Sequence, residues 1–125
     1  KCPIPLNSMG DGMLRMLQLT LALLQARNGI LLIDEFENGL HYSVQEKVWE
    51  FIFSMTDLLK IQVFATTHSK DCLYSFMKAS INKNVESMLI RLGRSVKKGD
   101  ESKIISSCFY SSEFKTLTTN DIEVR

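Results

Sequence analysis

The sequence predicts an α/β fold: a parallel βαβ core with flanking helices and a C-terminal β-hairpin. Two short apolar runs, Ile30–Ile33 and Ile61–Ala65, are separated by a segment with helical spacing of its apolar residues. A continuous aliphatic run between breakers suits a central strand of a parallel sheet, covered on both faces. The strand–helix–strand order then calls for a right-handed crossover. Each run also ends in residues that carry chemistry, Asp34-Glu35 after the first and Thr66-Thr67-His68-Ser69 after the second. In such sheets ligands gather at the carboxyl ends of the strands.

The elements follow in order. Leu6–Gly12 is a loop of small residues, and Ser8 or Asp11 is placed to cap the helix after it. That helix is expected over about 12–26. Its apolar residues (Met13, Leu14, Met16, Leu17, Leu19, Leu21, Leu23, Leu24) cover most of its circumference, which predicts burial on several sides. Asn28-Gly29 ends it. After the first strand, Phe36–Tyr42 reads as a loop. Ser43-Val44-Gln45-Glu46 has the form of a capping box, and Val44, Val48, Phe51, Ile52, Met55 and Leu59 then recur at helical spacing. Thr67 or Ser69 is placed to cap a third helix to about Lys78. Ser87–Leu92 and Ile104–Tyr110 read as two strands around a polar, basic turn, with a short helix near Ser112–Leu117.

Composition bounds the function. The 125 residues suggest one domain, and 45% hydrophobic content is enough for a core. A formal charge of +1 gives no broad basic field for nucleic acid or an anionic membrane. Cys2, Cys72 and Cys108 form no CxxC pair, and with His41 and His68 as the chain's two histidines a zinc site is not expected. Reduced thiols in a cytoplasmic protein are the simplest account. Met13–Leu24 is interrupted by Arg15, Gln18 and Thr20, so no membrane span is expected. Lys1 and the prolines at 3 and 5 suggest a piece of something longer.

Three motifs carry candidate chemistry. Phosphoryl transfer from ATP needs a divalent cation and a positioned water. An Asp at a strand end can hold Mg²⁺ and the next residue, Glu35, can polarise the water; equally, the two acids can simply close a buried strand toward solvent. His68 can donate to a terminal phosphate, or be satisfied by nearby backbone. Ser8-Met9-Gly10-Asp11-Gly12 can bring backbone N–H groups close to an anion, or be a flexible turn.

Taken in their order along the chain, the three resemble the C-terminal part of an ABC-type ATPase domain, one lobe of a P-loop NTPase. The resemblance is to the AAA-family ATPases of the OLD and AbiEii-like phage-defence group, relatives of the SMC and RecF-type DNA-repair ATPases. Asn7–Gly12 resembles their signature motif and Ile30–Glu35 their Walker B. Glu37-Asn38-Gly39-Leu40-His41 resembles the D-loop, and Thr66–Ser69 the switch histidine. The resemblance implies ATP and Mg²⁺ as cofactors, Asp34 supporting the metal, Glu35 as general base or water-orienting group, and His68 sensing the γ-phosphate. It further implies that Ser8, Gly10 and Asp11 contact ATP held by a second copy, with Asn38 and His41 at the dimer seam. Met9 and Asp11 depart from the common Leu-Ser-Gly-Gly form of the signature.

No GxxxxGK[ST] loop, the phosphate cradle of this superfamily, occurs in the chain. The chain alone is therefore expected to bind ATP poorly and hydrolyse none, and the intact protein to act as a dimer on an effector protein or DNA. Two other readings stay open: a non-catalytic dimerisation module with the same fold, and part of a DNA-repair or nuclease-coupled motor.

Overall fold

The computed structural model describes residues 10–95 and 103–119. The order is α1 (Asp11–Gln25), β1 (Ile30–Ile33), α2 (Tyr42–Leu59), β2 (Gln62–Ala65), α3 (Lys70–Lys83), β3 (Met88–Arg94), β4 (Ile104–Tyr110), a 3-10 turn (Ser111–Glu113) and α4 (Phe114–Thr119). β1 and β2 pair in parallel, Ile30 with Gln62 through Ile33 with Ala65. β3 and β4 pair antiparallel, Met88 with Tyr110 through Arg94 with Ile104. The mixed α/β architecture with a short parallel sheet is as expected. Most of the polar turn read between β3 and β4 lies outside the described residues.

The core gathers under one face of the parallel sheet. Leu19 and Leu23 of α1, Ile33 of β1, Phe36, and Val48, Trp49, Ile52 and Phe53 of α2 are buried together with Ile61 and Cys72. The buried stripe of α2 is rotated from the one its spacing suggested. Trp49 and Phe53 point inward and Val44 is exposed, because the larger rings fill the space against α3. Phe36 stacks on Trp49 with centroids 3.8 Å apart, Phe76 meets Trp49 edge-on at 5.0 Å, and Phe114 meets Phe76 at 5.7 Å. This aromatic chain joins the main core to a smaller cluster of Met77, Phe114 and Leu117 beneath β3 and β4.

Several local expectations are corrected. α2 is capped by His41, whose Nδ1 accepts the Ser43 N–H at 3.4 Å; the Ser43–Glu46 capping box does not form. Glu46 instead takes Lys78 Nζ at 2.9 Å and Asn82 Nδ2 at 3.1 Å, which fastens α2 to α3. α1 is capped by Gly10 with no side-chain bond, so Asp11 is the first helical residue rather than the cap. Ser8 lies outside the described residues. α3 runs past Lys78 to Lys83 and ends on Asn84 in the left-handed region, φ 51°. Ser69 does cap it, accepting the Cys72 N–H.

The largest difference concerns coverage. β1 was expected to be buried on both faces, yet Leu32 is 75% exposed and its β2 partner Phe64 48%. Alternation puts Ile30, Leu32 and Phe64 on one bare face and Leu31, Ile33 and Val63 on the covered one. On α1, Met13, Leu17, Leu21 and Leu24 are likewise exposed, a single stripe at spacings of four, four and three. The expected burial of α1 on several sides is therefore met on one side only, among the described residues.

Candidate functional site

Parallel pairing decides where the chemistry-bearing residues fall. Ile33 lies opposite Ala65, so both strands end at the same edge. The loops that leave this edge begin with Asp34-Glu35 and with Thr66-Thr67-His68.

The ladder continues one step beyond the strands. The Thr66 N–H donates to the Ile33 carbonyl at 2.9 Å, and the Phe36 N–H donates to the Thr66 carbonyl at 3.0 Å. The Thr66 hydroxyl donates to Asp34 Oδ1 and accepts the Glu35 N–H at 3.0 Å. Glu35 sits in the left-handed region, φ 46°, which an L-residue with a side chain adopts at a cost. Its Oε2 accepts Asn38 Nδ2 at 2.5 Å, and the Asn38 N–H returns to the Glu35 carbonyl at 3.0 Å. Asp34 and Glu35 are both exposed. The charged ends therefore face solvent while Phe36, fully buried on Trp49, anchors the turn from below.

Glu37 ties the two loops together. Its Oε1 accepts the His68 N–H at 3.0 Å, while Oε2 is buried. Burial raises the Glu37 carboxyl, but the Thr67 hydroxyl and the N–H groups of Glu37 and His68 lower it by more, so the net shift is downward. The His68 side chain is exposed, and its charge also lowers the Glu37 carboxyl. Cys72 lies buried behind this junction, and burial pushes its thiol up. A protonated, enclosed thiol is a packing group rather than a nucleophile.

The rest of the loop returns to the core and to α1. Gly39 has φ 75°, and a Cβ built on it would lie 3.6 Å from the Arg15 Cβ and 3.9 Å from the Asp11 carbonyl oxygen. Leu40 is buried, and the buried Gln45 side chain donates to its carbonyl at 3.2 Å. The Glu37–His41 loop therefore lies against the first turn of α1, beside Asp11 and next to Gly10, whose φ of 86° requires glycine. His41 is exposed at the far end, its ring 4.2 Å from that of Tyr42.

Of the sequence candidates, Glu35 and Asn38 meet directly, Asp34 is joined to the Glu35 backbone through the Thr66 hydroxyl, and the His68 backbone is bonded to Glu37 of the same loop. Gly10 and Asp11 adjoin the same loop at Gly39, His41 stands apart as a helix cap, and Ser8 lies outside the described residues. Thr66, Glu37 and Phe36 emerge from the geometry as further members.

Comparison with known proteins bears on the same stretch. Residues 3–71 match the family described as "AAA domain, putative AbiEii toxin, Type IV TA system". The chain belongs to this AAA family. The match runs from before α1 to the start of α3 and takes in the whole junction of the two loops. A curated relative, the "ATP/GTP phosphatase" of Helicobacter pylori (strain ATCC 700392 / 26695), is 36% identical over 72 residues, covering 54% of this chain and 19% of that protein. This AAA chain thus spans about a fifth of that relative's length. No solved structure matches it.

The site can also be tested against a divalent cation. Among the described residues no group of three His, Cys, Asp or Glu side chains could cage an ion. Mg²⁺ does not need one: it keeps several waters and binds through one or two carboxylates together with substrate phosphates. An exposed Asp34 with one carboxylate oxygen held by Thr66 fits that requirement. No helix among the described residues is long and apolar enough to cross a membrane.

Proposed function

We propose that this chain is the acid-bearing part of an ATP-hydrolysing domain, completed by a phosphate-binding loop outside these residues and active as a dimer. The observation that carries the reading is the shared edge of β1 and β2. Asp34-Glu35 and Thr66–His68 leave it together and are bonded to one another, in a chain of an AAA family.

In this reading Asp34 supports Mg²⁺, which when bound would neutralise developing charge on the phosphates. Glu35 orients the attacking water and draws its proton, with Asn38 fixing one carboxylate oxygen. His68 is held by its backbone at Glu37, and its exposed ring donates to a terminal phosphate oxygen in this reading. Gly10 and Asp11, together with Ser8, are proposed to face ATP bound by a second copy, with Asn38 and His41 near that seam. The OLD-like, phage-defence assignment and a cytoplasmic setting belong to this proposal too, as does an effector protein or DNA as the object of turnover. The name of the Helicobacter relative, which speaks of phosphatase action on ATP or GTP, supports the nucleotide part of it.

The test is Glu35→Gln in the full-length protein. Turnover should fall by roughly 10²-fold or more, in the range of a lost general base, while ATP-bound dimers persist on gel filtration. Unchanged turnover removes Glu35 from the chemistry and the proposal with it.

A further inference from the structure

Thr66 is the point at which the two acids meet the end of the neighbouring strand. We infer that Thr66 is a positioning residue that sets the direction of the Asp34 carboxylate and the backbone of Glu35; this rests on the proposed ATPase reading.

The geometry separates this role from ordinary strand closure. The backbone of Thr66 already closes the ladder, through Ile33 on one side and Phe36 on the other. Its hydroxyl is not needed for that, yet it bonds both acids at once, donating to Asp34 Oδ1 and accepting from the Glu35 N–H at 3.0 Å. A hydroxyl offers one proton and two lone pairs, so both bonds form without competition. Fixing Oδ1 leaves Oδ2 as the oxygen that would face a cation. Holding the Glu35 N–H keeps that residue in its left-handed conformation, which aims its carboxylate at Asn38. Asp34, Glu35 and Thr66 are all exposed, so solvent can replace the lost bonds if the hydroxyl is removed. Its removal should therefore cost little stability and much alignment. Partners that orient a metal-binding carboxylate typically change metal affinity or activity about 10–100-fold when lost.

The experiment compares Thr66→Val with Thr66→Ser in the full-length protein. Valine keeps the β-branched shape and the backbone bonds and loses only the hydroxyl; serine keeps the hydroxyl. Three quantities are read: steady-state ATP turnover across a Mg²⁺ titration, thermal melting, and Mn²⁺ affinity by electron paramagnetic resonance in the ATP-bound Glu35→Gln background. The expected result is a kcat for Thr66→Val down about 10–100-fold with KM for ATP little changed. Its Mn²⁺ affinity should weaken by about tenfold or more, its melting temperature should stay near that of the parent, and Thr66→Ser should stay within a few-fold of wild type. Wild-type turnover and Mn²⁺ affinity in Thr66→Val overturn the inference. So does a loss that Thr66→Ser shares, or one that tracks a lowered melting temperature. If Glu35→Gln abolishes turnover while Thr66→Val leaves it intact, only this inference fails. If Glu35→Gln is fully active, the ATPase reading fails first.

Discussion

Truncating Phe36 should loosen the acidic turn at its root. The ring is fully buried and lies flat on Trp49, with centroids 3.8 Å apart and planes 13° from parallel. Phe36→Ala removes the ring and leaves a cavity between α2 and the turn, a change that typically costs about 3–5 kcal/mol. About 0.5–1.5 kcal/mol of that belongs to the ring pair beyond its buried area. Against a domain stability of about 5–15 kcal/mol this is a large share. With a urea slope of about 2 kcal/mol/M, the midpoint should fall by about 2 M. Phe36→Leu keeps most of the apolar volume and should cost only about 1–2 kcal/mol, mainly the lost stack. Trp49 is the one tryptophan of the chain, so its fluorescence in a urea titration reports on this contact directly. Refutation takes either of two forms. Phe36→Ala could fall within about 1 kcal/mol of the parent, or leucine could cost as much as alanine. In both cases the stack would not be what anchors the turn.

Two further outcomes follow from the structure. Ser80 is buried, donates to the Val85 carbonyl at 3.1 Å and shares a 2.7 Å hydrogen bond with Ser87, so Ser80→Ala should destabilise by about 1–3 kcal/mol in chemical denaturation. Glu37 has a depressed carboxyl in the folded chain, so its contribution to stability is present above the ordinary glutamate range and lost as pH falls through the lower folded value. Stability measured against pH should then show a flatter slope below about pH 4.5 in Glu37→Gln than in the parent; identical slopes count against the hydrogen-bonded carboxylate.

Much of the backbone plan was legible because local signals agreed with the fold. Ile30–Ile33 is aliphatic without interruption and stops at two acids, and the strand occupies those residues. Ile104–Tyr110 likewise matched. Burial was less legible, since it depends on what packs against an element rather than on the element. Leu32 and Leu17 have the composition of core residues and are exposed among the described residues. At the start of α2 two local rules competed. The Ser43–Glu46 pattern promised a capping box, but His41, in extended backbone at φ −62°, reached Ser43 first and Glu46 found Lys78 and Asn82 across the helix pair.

The site divides in the same way. Asp34, Glu35 and His68 could be picked out by residue type and order. Thr66 and Glu37 fell inside the motifs but without roles of their own, because their partners lie 31 or 32 positions away and meet only in the register that sets Ile33 against Ala65. A hydroxyl at the first position after the second strand was the one available hint.

The left-handed backbone at Glu35 has an evolutionary corollary. Glycine would occupy φ 46° without strain, so on stability grounds alone glycine is the favoured replacement there. Directed evolution that screens this protein for heat tolerance, and not for turnover, would thus be drawn toward discarding the acid. Any such campaign would have to couple its screen to activity to keep the residue on which the proposed chemistry depends.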